Sequence, residues 1–136
     1  MVECELARMV IRDTVDHQYI YLQEKDGTRR FPIIIGMYEA AEISRKIQAE
    51  ETARPLTHDL IRSILEALGA RIEKIVVDEL RNSTFHAKLH VVLDGKKSLV
   101  DSRPSDAIAL AVAMSVPIFV EEAVLDAVCR EEPPEA

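Results

Sequence analysis

Three short segments gather the residue types that act on phosphate esters. Ile35-Gly36-Met37-Tyr38-Glu39-Ala40 carries an acid. Arg54-Pro55-Leu56-Thr57-His58-Asp59-Leu60 carries an arginine, a histidine and an acid. Asp101-Ser102-Arg103-Pro104-Ser105-Asp106-Ala107 carries two acids, an arginine and serines. Arg54 and Arg103 suit planar, bidentate contact with phosphate oxygens, and Ser105 adds a donor. Glu39, Asp101 and Asp106 are oxygen ligands of the kind Mg²⁺ or Mn²⁺ takes. His58 suits general acid–base work, with Asp59 beside it. Together they would make a site that cleaves phosphodiesters, with metal or arginine offsetting developing charge.

Each residue also has a purely structural reading. Ser105 and Asp106 at a helix start are more often caps than ligands, and the same holds for Asp59 after Thr57. Arg54–Asp101 and Arg103–Asp59 are plausible internal ion pairs. Glu39 also has the sign that complements a helix dipole. His86 and His90 lie four apart in a strand, roughly 13 Å between Cα atoms, and do not make a metal pair. No Gly-rich phosphate loop, GxSxG elbow or HExxH is present. Spacing alone leaves a nuclease and a binding module both open.

The elements that must position these residues follow from periodicity. Residues 2–11, 19–22 and 31–35 read as strands, with a hairpin turn at Asp26-Gly27 and an edge or bulge at Pro32. Residues 37–50 read as a helix, with Glu42–Lys46 as an exposed pair. A second helix starts at Thr57 as N-cap, buries Leu60, Ile61, Ile64, Leu65 and Leu68, and stops at Gly69. Strands recur over 71–80, 85–93 and 98–101, turning at Asp94-Gly95, and a helix follows over 105–114. Residues 117–120 form a short strand and 121–128 a last helix. The fold class expected is α+β: duplicated strand-hairpin-helix units, a mixed or antiparallel sheet packed on helices, and two helix entries facing a shared cleft. Residues 1–129 make one domain and 130–136 a disordered tail.

Composition narrows the class. The 136 residues are 48% hydrophobic and 30% charged, which is globular, with a net charge of −7. That charge disfavours simple electrostatic binding of nucleic acid. No apolar run is long enough to span a bilayer, and the N-terminus does not read as a signal peptide. Cys4 and Cys129 fit neither a zinc site nor a disulfide framework. The expected setting is the cytoplasm, without membrane contact, as a homo-oligomer formed through exposed strand edges.

The three segments, with Thr84-Phe85-His86-Ala87 and Pro117-Ile118-Phe119-Val120, resemble the signature blocks of the bifunctional nuclease family. The fullest are residues 32–40, 54–60 and 101–111. The blocks occur in order across residues 2–128. The resemblance implies hydrolysis of DNA and RNA at Glu39, Arg54, His58, Asp59, Asp101, Arg103, Ser105 and Asp106, with no departure at those positions. It does not say which is base or ligand. The alternative is a non-enzymatic module that binds a phosphorylated small molecule or a protein partner.

Overall fold

A computed structural model describes residues 1–12, 17–50 and 52–131, without the side chains of 130 and 131. Strands β1 (Val2–Val10), β2 (His17–Glu24) and β3 (Arg30–Gly36) form an antiparallel meander that feeds helix α1 (Met37–Ile47). Helix α2 (Thr57–Leu68) follows. A second meander of β4 (Arg71–Arg81), β5 (Thr84–Leu93) and β6 (Lys96–Ser102) feeds α3 (Pro104–Met114). Strand β7 (Ile118–Val120) and helix α4 (Glu122–Glu131) complete the described elements. The sequence assigns Arg130 and Glu131 to a tail, but α4 runs through both. The remainder of that tail lies outside the described residues.

Among the described residues, seven strands join one mixed sheet in the order β3-β2-β1-β7-β4-β5-β6. Strand β7 is antiparallel to β1 and parallel to β4, so it links the two meanders through their first strands. The α+β class expected from the sequence holds. The sheet is curled: the rings of Phe31 on β3 and Phe85 on β5 lie 5.5 Å apart, although four strands separate β3 from β5. Pro32 sits on edge strand β3, where its missing N–H is tolerated.

Turn chemistry explains the meanders. Asp94 and Gly95 both have positive φ, 51° and 74°, as a two-residue hairpin turn requires. Asn82 and Ser83 turn β4 into β5 the same way, with φ of 52° and 63°. Asp26-Gly27 works differently: Glu24 N–H reaches the Arg29 carbonyl across a longer loop. Gly69 ends α2 at φ 75°, a left-handed position that suits glycine.

Helix α3 is the core helix. Every residue from Ala107 to Ala111 is buried, which fits its all-round apolar sequence. It packs against α1, α2, β4 and β5. Helix α4 is held by Arg29, which pairs with Glu122 at 2.7 Å and Asp126 at 3.3 Å.

Three helix expectations change. Leu56, not Thr57, is the N-cap of α2. Leu60, Ile64 and Leu68 are exposed, and Ile61 and Leu65 alone of that stripe pack on the core. Only one edge of α2 meets α3, so the stripe is half used. Glu42 does not pair with Lys46 on the surface. It is fully buried and meets Arg45 Nη2 at 3.3 Å, while Lys46 turns to Asp59.

Candidate functional site

The site is made where three helices begin. Glu39 is the third residue of α1, His58 the second of α2, and Asp106 the third of α3. Arg103, the N-cap of α3, joins them. Its Nε donates to Asp106 Oδ2 at 2.8 Å, its Nη2 to Asp106 Oδ1 at 3.1 Å, and its Nη1 to Glu39 Oε1 at 3.2 Å. His58 Nε2 lies 3.0 Å from Asp106 Oδ1. The expectation that the first and third helix entries share a cleft holds through the Arg103–Glu39 contact.

Local sequence explains each placement. Pro104 is favoured in the first turn of a helix, so the chain leaves β6 and turns at Arg103. Gly36 lets the Glu39 carboxylate fold back over the start of α1, since a Cβ there would collide with Glu39 Oε2. His58 is buried under the start of α2. Its Nδ1 is also buried and has no hydrogen-bond partner among the described residues, and its Nε2 is engaged by Asp106.

The electrostatics follow from these contacts. Burial alone would raise the Asp106 carboxyl, but hydrogen bonds from Arg103 and His58 outweigh it and hold the group below the usual range. The Arg103 guanidinium is pushed up, chiefly by Asp106. Among the described residues three of its five N–H groups are used, and its side chain is 64% exposed. Two donors therefore remain for a ligand.

A groove of about 570 Å³ runs over the cluster. Tyr38 and Thr57 from two helix starts line it, with Asp101, Arg103 and Asp106 from the third segment. A second groove, lined by Tyr19, Phe85 and Ser105 among others, meets the first at Arg103. The sequence singles out Arg103 only as one of two arginines. It does not single out Tyr38, although that residue lies beside Glu39.

The remaining expected residues divide. Asp101 lines the groove, 79% exposed, and receives Lys88 at 3.4 Å. Ser105 is buried under the start of α3. Asp59 faces away: it pairs with Lys46 and accepts the Leu56 N–H at 2.9 Å, one arm of a capping box. Arg54 is exposed in a neighbouring groove that shares Tyr38 and Thr57. The Arg54–Asp101 and Arg103–Asp59 pairs are not formed, because Asp101 meets Lys88, and Arg103 meets Asp106 and Glu39.

Glu39, Asp101 and Asp106 do not assemble as metal ligands. Among the described residues, no three His, Cys, Asp or Glu side chains gather around one point. The Arg103 guanidinium stands between Glu39 and Asp106, where a cation would bridge them. This arrangement does not fit Mg²⁺ or Mn²⁺.

The profile of the bifunctional nuclease domain matches residues 20–132, most of the chain. The chain belongs to the bifunctional nuclease domain family. An uncharacterized protein of Mycobacterium tuberculosis is 40% identical over 125 residues, which cover 92% of this chain and 74% of that protein. Bifunctional nuclease 2 of Arabidopsis thaliana is 29% identical over 110 residues, 78% of this chain and 33% of the plant protein. Bifunctional nuclease 1 of Oryza sativa subsp. japonica is 25% identical over 114 residues, 81% of this chain and 34% of its own length. No described helix of this family member is long and apolar enough to cross a membrane.

Proposed function

We propose that this bifunctional nuclease domain hydrolyses phosphodiester bonds of DNA and RNA at the Arg103 groove. The observation that carries the reading is the convergence of three helix N-termini on Arg103. Each terminus presents free N–H groups and a positive dipole end, which favour a phosphate. The two unused Arg103 donors take its non-bridging oxygens and offset the charge that grows in the transition state. Asp106 and Glu39 hold the guanidinium plane, and His58 holds Asp106.

Water attacks phosphorus in line with the leaving oxygen. The water oxygen bonds to phosphorus, its proton passes to solvent, and the bond to the departing oxygen breaks. That oxygen takes a proton from solvent. Asp101 stands apart from this scheme, because its carboxylate pairs with Lys88, its cross-strand partner on β5, on the sheet face opposite Leu89 and Val100. His58 is a positioning residue.

The test is cleavage of end-labelled single-stranded RNA and DNA by highly purified protein, in Mg²⁺, Mn²⁺ and EDTA, beside Arg103→Ala. The expected result is cleavage that persists in EDTA and disappears in Arg103→Ala. Equal cleavage by folded Arg103→Ala would sink the reading. A strict metal requirement would move the chemistry to ligands other than this cluster.

A second reading has its own observation. Arg103 faces two carboxylates, so the cluster carries no net positive charge, and the chain carries −7. A latch that ties three helix starts together, in a module that binds a phosphorylated small molecule or a protein partner, meets the same contacts. Tight binding of an anionic metabolite without turnover in any buffer would favour it.

A further inference from the structure

We infer that two copies of this chain join edge to edge through β6, antiparallel, with Leu99 on the twofold axis. Strand β6 ends the sheet, and every residue from Lys96 to Asp101 is exposed. An open edge of this length is a template for another strand. The opposite edge, β3, carries Pro32, which lacks an N–H and discourages pairing there. Strand β6 has no proline.

The register follows from the hairpin. Leu93 and Lys96 flank the two-residue Asp94-Gly95 turn, so they form a hydrogen-bonded pair. Pairs alternate along the ladder. Lys96, Ser98, Val100 and Ser102 therefore bond to β5, and Lys97, Leu99 and Asp101 turn their N–H and C=O groups to the open edge.

Those three residues are self-complementary about Leu99. In an antiparallel pair centred there, Leu99 meets Leu99 of the second copy. Lys97 meets Asp101 of the second copy, and Asp101 meets Lys97 of the second copy. Lys96 faces Ser102 and Ser98 faces Val100, so no like charges oppose each other. Three hydrogen-bonded pairs contribute about six backbone hydrogen bonds. Opposite charges directly across a strand pair add to stability, and like charges there subtract. The present partners of the two charges do not block this: Lys97 is 3.8 Å from Glu73, and Asp101 is 3.4 Å from Lys88. Leu99, 63% exposed, loses its apolar surface to its own copy.

The test is sedimentation equilibrium of the full chain at micromolar concentrations, with circular dichroism to confirm folding. The wild type is expected to be a dimer. Lys97→Asp sets Asp against Asp101 of the second copy and weakens the dimer about tenfold or more. Lys97→Asp/Asp101→Lys restores it by exchanging the charges. Leu99→Pro removes an outward N–H that β5 does not use, and gives a folded monomer. A wild type that stays monomeric overturns the inference. So does a dimer that survives both single changes, which would place contact elsewhere, such as the exposed leucines of α2. Failure of the charge exchange to restore association overturns the register.

Discussion

Arg103 holds Asp106 through two parallel contacts within the first turn of α3, Nε to Oδ2 at 2.8 Å and Nη2 to Oδ1 at 3.1 Å. A planar fork makes both at once, and a lysine ammonium does not. Arg103→Lys should keep the charge and lose the geometry. We expect cleavage to fall about a hundredfold, with thermal stability little changed because the side chain is largely exposed. Steady-state cleavage rates beside a thermal melt check this. Near-wild-type cleavage by the lysine variant would mean that charge alone is needed.

Asp106 makes stability depend on pH in a defined direction. Its native carboxyl lies below its ordinary value of 3.8, through hydrogen bonds from Arg103 and His58 that overcome burial. The native state then binds its proton less readily than the unfolded chain does. The stabilisation is complete above the unfolded value and is lost as pH falls through the lower native one. Asp106→Asn should therefore be less stable than wild type at neutral pH, with the gap closing in acid. Urea unfolding from pH 7 to strongly acidic pH reads this directly, and a gap independent of pH would contradict it.

Asp59 follows the same sign for a different reason. Its carboxyl is lowered chiefly by the Lys46 hydrogen bond, then by the Leu56 N–H. Asp59→Asn should weaken the start of α2 by about 1 kcal/mol at neutral pH. Because the carboxylate faces away from the groove, cleavage should remain near wild type. Loss of cleavage in a folded Asp59→Asn protein would return this residue to the catalytic set.

Gly36 offers a change that acts through one neighbour. Its backbone is extended, φ −75° and ψ 164°, which alanine adopts freely. The added Cβ would collide with Glu39 Oε2 and turn that carboxylate aside. Gly36→Ala should leave the melting temperature unchanged or slightly raised, while cleavage falls because Arg103 loses one of its two anchors. A crystal structure of the variant with Glu39 still on Arg103 would remove the basis for this expectation.

Cys4 should be chemically quiet. It is 3% exposed, and burial pushes its thiol up to about 11 from 9.0. At pH 8 its thiolate fraction falls about a hundredfold, and alkylation falls with it. Iodoacetamide labelling followed by peptide mass analysis should find Cys4 modified only as the protein unfolds. Rapid labelling in native buffer would show that β1 opens locally.

Local chemistry carried much of the fold in the chain itself. Alternating apolar residues placed the strands, Asp94-Gly95 demanded positive φ, and Gly69 marked a helix end, because each depends on backbone preferences a few residues long. The same locality put Glu39, His58 and Asp106 at helix starts. Tertiary structure decided which charges meet. Arg103 could have paired with Asp59, but α1 packs against α3, so Glu39 joins the local partner Asp106 on Arg103, while Asp59 is drawn to Lys46. It also decided that Leu60, Ile64 and Leu68 stay exposed and Glu42 is buried. A helix's periodicity states that it has an apolar face, but how much of that face is covered depends on neighbours distant in the chain.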